Sequence, residues 1–228
     1  MANPLVSVVL CVKNGDRFLR EALESVIAQT YRPLEIWVID GHSTDHSVEI
    51  ARLFPEVRII RQTDDGLSGA FNEGIVAATG EFVAFIASDD RWLPEKIALQ
   101  VAFMQEHPEI DLSITRFRFF LEPGYPIPTG FKSSLLEGDH TGQIMETLLV
   151  RRTVFARVGG VDPAYTAGDV DWFARVKDKG MTMALIPQVM LHKRIHDSNL
   201  SSNAAVNNQE LLRILWRSVV RQRTGETD

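Results

Sequence analysis

Residues Phe82–Trp92 read FVAFIASDDRW. Six residues suited to a buried strand, Phe82 to Ala87, run straight into Ser88-Asp89-Asp90, with an aromatic close behind. Adjacent carboxylates at the C-terminal edge of a strand repel each other, so a partner must offset their charge. A divalent cation carrying a phosphate-rich ligand would do so, because hard oxygen ligands suit Mg²⁺ or Mn²⁺. The plainer reading makes Asp89 or Asp90 the cap of a helix opened by Pro94-Glu95. The chain on either side bears on the choice.

Toward the N-terminus, strands and helices alternate. Val6 to Val12 (VSVVLCV), Leu34 to Ile39 ending at Asp40, and Val57 to Ile60 read as strands. Between them, Arg17 to Gln29 places Phe18, Leu19, Ala22, Leu23, Val26 and Ile27 at helical spacing. Ser43-Thr44-Asp45 predicts the cap of a helix running to about Phe54. Further helices are expected over Leu67 to Ala78, stopped by Gly80, and over Pro94 to Glu106. This alternation predicts a parallel sheet with helices on both faces. Ligands of such sheets bind beyond the carboxyl ends of the strands. Asn14, Asp40, Asp65 and Asp89-Asp90 all fall at those ends, which gathers them on one rim.

The second half is less regular. Asp111 to Phe120 reads as a half-buried, partly aromatic strand. Glu122 to Gly142 holds three prolines and four glycines and reads as a loop long enough to be a lid. Glu146 to Val150 leads through Arg151-Arg152 into a short helix stopped by Gly159-Gly160. Asp169 to Lys179 has a helical pattern ended by Gly180, and Met183 to Leu191 reads as a strand. The terminal helix, Asn207 to Arg223, repeats Leu211, Leu212, Leu215, Trp216 and Val219 against Arg213, Arg217, Arg221 and Arg223. Such a helix most often packs its apolar side on its own domain. A homodimer contact or a peripheral membrane contact also suits an amphipathic helix with a basic side.

Composition narrows the classes. A chain of 228 residues suits one large domain, or a domain with a short appendage. Its net charge of −6 gives no electrostatic reason to expect nucleic acid. Cys11 is the single cysteine and sits in an apolar run, so it reads as a core residue in a reducing compartment. No stretch approaches a membrane span, and the start MANPLVS lacks a signal peptide's features, so the expected location is cytoplasmic. No G-x-G-x-x-G follows any strand, which argues against a dehydrogenase. The segment KNGDRF after the first strand has one glycine, too few for a nucleotidyltransferase loop.

Taken together, SVVLCVKN, EIWVIDGHSTD, FNEGIVAATGEFVAFIASDD and GDVDWFARVKDKG resemble the family 2 glycosyltransferases, in the family's order and over roughly Ser7 to Ser201. The resemblance implies an α/β GT-A fold, a three-layer α/β/α sandwich with a mostly parallel central sheet. It divides the chain into a glycosyltransferase domain over 1–203, with a nucleotide-binding half (1–107) and an acceptor-binding half (108–203), followed by the amphipathic helix in 204–228. The implied activity is inverting transfer of a sugar from a nucleoside-diphosphate donor, expected to be UDP-linked, to an unidentified hydroxyl acceptor: a glycan, a lipid-linked glycan or a small molecule. A nucleotide-sugar-binding protein of the same fold with impaired chemistry is the alternative.

The family's roles carry over residue by residue. Asp40 matches the nucleotide-binding aspartate, and a carboxylate can accept from a uracil N–H. Val12 and Asn14 would edge the same base pocket. Asp65 matches a position facing the nucleotide, though Asp-Gly is also a common turn. Asn72 and Gly74 fit packing as well as binding. Asp90 matches the ligand of a Mg²⁺ or Mn²⁺ bridging the phosphates, and Asp89 the contact to ribose or sugar. Asp169 matches the base that deprotonates the acceptor, with Asp171 in support or in competition; capping a helix is the other role for this pair. Arg194 and His196 match an Arg-x-His pattern near the diphosphate or its metal; a surface histidine and solvated charges at Lys193 and Arg194 are the alternatives. Zinc on His192 and His196 is disfavoured, because their segment reads as a strand. Two positions depart from the family: Ala87 where many relatives have aspartate, and Gly168 where glutamate is usual.

Overall fold

Val6–Val12 is buried at every position and forms β1, the middle of the parallel half of the sheet. Its neighbours are β2 (Leu34–Asp40) and β4 (Phe82–Ala87), and β3 (Val57–Arg61) lies beyond β2, all parallel. The computed structural model describes residues 3–122, 124–129, 131–196 and 204–224, with side chains in the last segment from residue 210 onward. Eight strands make one sheet in the order β3-β2-β1-β4-β7-β6-β8-β5. The second half of the chain supplies β6 (Leu112–Leu121), β7 (Leu148–Arg151) and β8 (Met183–Ile195). β7 runs antiparallel to β4 and β6, whereas β6 and β8 are parallel.

Period-two alternation divides the core between the two faces of the sheet. Val8, Leu10, Ala84 and Ile86 pack with α1 (Leu19–Ile27) and α4 (Lys96–Glu106). Val9, Cys11, Val83 and Phe85 pack on the opposite side with α3 (Gly66–Ala77), α5 (Thr153–Val158) and α6 (Gly168–Asp178). The result is a three-layer α/β/α arrangement. Gly74 lets α3 approach the sheet closely: a Cβ there would lie 2.2 Å from Val9 Cγ1.

Several boundaries differ from the sequence expectation. The helix expected from a Ser43-Thr44-Asp45 cap is a short α2, Ser47–Ala51; Asp45 Oδ1 accepts the Ser47 N–H at its start, and all three residues also bond the loop after β1. A two-residue β5 (Arg91–Trp92) pairs with β8, and β8 runs on to Ile195, four residues beyond the expected strand. That extension carries residues 192–195 up to the Asp89-Asp90 segment. Asn72 ties α3 to the segment after α5, donating to Val161 O at 2.8 Å and accepting from Val161 N at 2.7 Å.

The terminal helix α7 (Ala204–Thr224) docks on α6 with its charged side. Arg221 pairs with Asp178 at 2.8 Å, Ser218 and Gln222 donate to the same carboxylate, and Ile214 is buried. Leu212, Leu215, Trp216 and Val219 face outward, 45–70% exposed. The docking face is therefore turned from the expected one: Arg217 and Arg221 face the body with half-buried Leu211, while Arg213 and Arg223 stay exposed. Acidic partners on the body, Asp162 and Asp178, draw in these two arginines, and amphipathic spacing alone could not reveal them. No helix among the described residues is long and apolar enough to cross a membrane.

Candidate active site

Register sets the rim. Val12 aligns with Asp40 across β1–β2, and Cys11 with Ala87 across β1–β4, so Asp40 and Ser88-Asp89-Asp90 leave the sheet at one level. Asp40 is 4% exposed, and its Oδ1 accepts the Ser43 N–H at 3.1 Å. Oδ2 takes no hydrogen bond among the described residues. The Asp40–Ser43 bond closes a turn ahead of α2 and does not cap the helix, while Ser43 Oγ accepts the Asn14 N–H at 2.9 Å. Asn14, in the left-handed region at φ 53°, turns its Oδ1 to the Thr44 N–H at 2.8 Å. Its side chain therefore joins the two loops of the rim. Val12 sits at the same level, its carbonyl accepting the Gly41 N–H at 2.8 Å. Asp65 is exposed and precedes α3 without capping it.

Asp89 and Asp90 diverge in their partners. Asp89 Oδ2 meets His196 Nε2 at 2.9 Å. Burial pushes its carboxyl up, but the His196 contact and the charge of Lys193 outweigh that and leave it lowered. Asp90 is 1% exposed; its Oδ1 accepts the Arg194 backbone N–H at 2.9 Å, and its Oδ2 faces Lys193 Nζ at 3.2 Å. Burial raises this carboxyl, with Asp89 and Glu146 acting in the same direction and Lys193 opposing. Lys193 also reaches Glu146 Oε1 at 3.0 Å. Burial works against its charge, yet Asp90 and Glu146 hold the ammonium more firmly protonated than usual. Lys193 thus bridges the carboxylates of Asp90 and Glu146, forming a trio at the strand ends.

Arg194 lies on the opposite face of β8 from Lys193, as alternation requires. It is wholly buried. Its guanidinium stacks between Phe18 and Phe120, donates to Asp89 O at 2.8 Å, and pairs with Glu21 at 2.8 Å and with Glu122. Expected near the diphosphate, Arg194 is instead an internal strut under the rim. His192 and His196 have separate partners, Phe120 and Asp89 respectively.

Asp169 opens α6 and is partly buried. Burial, then the charge of Glu146, pushes its carboxyl up to about 6, against the Val170 N–H and Lys193. It thus shares an electrostatic environment with the trio at the strand ends. Asp171 does not. It is 1% exposed and pinned to Arg175 at 2.7 Å, and Arg175 in turn donates to Val158 O and Gly160 O. Support of Asp169 by Asp171 is therefore replaced by a structural ion pair one turn along. Gly168 has a steric cause: a Cβ would lie 2.6 Å from both Ser68 Oγ and Val161 Cγ1. The start of α6 is anchored by Glu210 of α7, which accepts the Thr166 and Ala167 N–H groups at 3.2 and 3.1 Å.

The donor set bears on the expected Mg²⁺ or Mn²⁺. Asp90 and His196, the expected ligands, point to different partners, and no group of three or more metal-ligating side chains gathers among the described residues. A cation at Asp90 would also face the Lys193 ammonium. As arranged, these side chains do not fit a divalent ion. Lys193, Glu146 and Glu210 escaped sequence reading: a lysine on a strand looks solvated, and nothing local distinguishes the two glutamates. The alternation of Lys193 with Arg194 along β8 was the one available signal.

The sequence profile of Glycosyl transferase family 2 matches residues 7–173. An uncharacterized glycosyltransferase of Rickettsia typhi is 26% identical, over 98% of this chain and 74% of that protein. A UDP-Glc:alpha-D-GlcNAc-diphosphoundecaprenol beta-1,3-glucosyltransferase of Escherichia coli is 28% identical, over 87% of this chain and 80% of its own. Other relatives are longer, and this chain spans 24–33% of three of them. Among solved structures, a mannosyltransferase of Pyrobaculum calidifontis in complex with GDP-Man and Mn²⁺ superposes with a TM-score of 0.76 at 20% identity, covering 100% of this chain and 67% of that one. That likeness establishes the GT-A fold.

Proposed function

We propose that this chain, which belongs to glycosyl transferase family 2, moves a hexosyl group from a UDP-linked donor to a hydroxyl acceptor, with Asp169 as the base. The observation that carries the reading is the family profile's match over residues 7–173, and the charges at the strand ends accord with it. Asp169, from the second half of the chain, feels the charges of Glu146 and Lys193, and both contact or act on Asp90 at the strand ends. A base and a charged donor rim that share one cleft are what direct displacement needs.

In the proposed reaction, Asp40 and the loops joined by Asn14 hold the nucleotide, with Asp40 accepting from the base. The Asp169 carboxylate takes the proton of the acceptor hydroxyl as its oxygen attacks the anomeric carbon. The bond from that carbon to the diphosphate breaks, and the nucleoside diphosphate leaves with the electron pair. A single displacement of this kind inverts the anomeric centre. The named activity of the E. coli relative makes a lipid-linked glycan the first acceptor class to test.

A panel of nucleotide sugars, scored for release of UDP or GDP with and without acceptor, tests the reading. Asp169→Asn should bind donor as the parent does and lose transfer by about 10²–10⁴-fold. If the parent chain binds donors tightly yet releases no nucleotide with any acceptor class, the impaired-binding alternative stands instead.

A further inference from the structure

The family resemblance brings a divalent metal with it, and the side chains here disagree. We propose that the Lys193 ammonium is the resident cation of the donor site and meets the charge of the nucleoside diphosphate without a divalent metal. The inference rests on the sugar-transfer reading above.

Position is the first argument. Lys193 Nζ stands 3.2 Å from Asp90 Oδ2 and 3.0 Å from Glu146 Oε1. That is the carboxylate expected to hold the metal, and Lys193 is one of its two partners. β8 fixes the arrangement twice over, since the Arg194 N–H of the same strand holds Asp90 Oδ1 at 2.9 Å. Glu146 is set in turn by Trp92, whose Nε1 donates to its carbonyl at 3.0 Å.

Donor arithmetic is the second. An ammonium has three N–H groups. Two are engaged by Asp90 and Glu146, and among the described residues the third meets no acceptor, leaving it for a phosphate oxygen. The side chain is 19% exposed, enough to meet a ligand while most of its charge is shielded from water. A fixed charge in such a setting interacts with developing negative charge more strongly than one in bulk solvent.

The third is composition of the rim. β4 ends at Ala87, so the side chains gathered at this rim are Asp89, Asp90 and the lysine beside them. The ammonium beside Asp90 opposes a divalent ion at that carboxylate and can present an N–H to a phosphate oxygen. During transfer, the bond between the anomeric carbon and the phosphate oxygen breaks with its electron pair going to that oxygen. The acceptor proton goes to Asp169, and Lys193 keeps all of its protons throughout.

Calorimetry of UDP and GDP binding to the full chain, in EDTA and in Mn²⁺, tests the assignment alongside Lys193→Ala and Lys193→Arg. The expected result is nucleotide binding by the parent in EDTA, changed by less than about 2-fold when Mn²⁺ is added, and weakened at least about 10-fold by Lys193→Ala. Lys193→Arg should retain most of the affinity, because its charge stays in place. Binding by the parent only in Mn²⁺ overturns the proposal, and so does Lys193→Ala binding as tightly as the parent in EDTA. Should Lys193→Ala fail to fold, the parent's comparison between the two buffers decides alone. Sugar transfer that requires Mn²⁺ overturns the lysine assignment and leaves the function standing, whereas absence of nucleotide binding in both buffers overturns the two together.

Discussion

At the scale of the residue, Asp169 and Asp171 show how two carboxylates two positions apart take unrelated duties. On a helix they face away from each other, and the environments differ accordingly. Asp171 is neutralised by Arg175, whereas Asp169 has burial and Glu146 against its charge. The consequence is a pH dependence. A base must be ionised to accept a proton, and Asp169 is held up at about 6 from 3.8. Transfer should therefore fall about 10-fold per pH unit below that value and level off above it. A rate profile measured from about pH 4 to about pH 8 checks it; a profile flat down to the ordinary carboxylate range would remove Asp169 from the role. The stability sign is the reverse. A raised carboxyl favours the folded state while protonated, and that contribution is lost as pH rises from 3.8 through about 6.

At the scale of the element, contacts between helices decide how well the site is held. α3 lies on β1 only because Gly74 has no side chain, its absent Cβ falling 2.2 Å from Val9 Cγ1. Gly74→Ala should cost about 1–3 kcal/mol by urea denaturation, since the helix must lift or the strand must shift. α7 contributes more than a docking surface. Through Glu210 it accepts the first N–H groups ahead of α6, the helix that starts with Gly168-Asp169. Burial raises the Glu210 carboxyl, but the two N–H groups prevail and hold it below its ordinary range. Glu210→Ala is expected to slow transfer while leaving UDP affinity unchanged, and Glu210→Gln to restore much of the loss, because it keeps an acceptor. Equal rates for all three proteins would show that the anchor does not position Asp169.

At the scale of the whole molecule, Arg194 ties together segments far apart in the chain. It joins the end of β8 to Glu21 in α1, to Asp89 after β4 and to Glu122 after β6, all from a wholly buried side chain. Removing one member of a buried ion pair leaves its partners uncompensated. Glu21 is 42% exposed and keeps some hydration, so the lower end of the usual range applies. Arg194→Met should lower global stability by about 3 kcal/mol. Chemical denaturation followed by two probes, one near Trp92 and one near Trp37, should show one shared transition. An unchanged midpoint would return Arg194 to a ligand-binding role.

The parallel half of the fold and its rim were readable from the chain. Local periodicity reports burial, and the crossover rule for alternating strands and helices then fixes where strand ends meet, so Asp40 and Asp89-Asp90 could be gathered without coordinates. The family resemblance extended that reading to Asp169. Three things needed the tertiary structure. The docking face of α7 depends on Asp162 and Asp178, which no local pattern pairs with its arginines. The internal burial of Arg194 depends on two carboxylates and a backbone carbonyl from three separate segments. The seating of Lys193 between Asp90 and Glu146 depends on the register of β8 against distant strands. Periodicity encodes how each element meets water, and that is local; which charges become neighbours is set by packing between elements, and only the folded chain decides it.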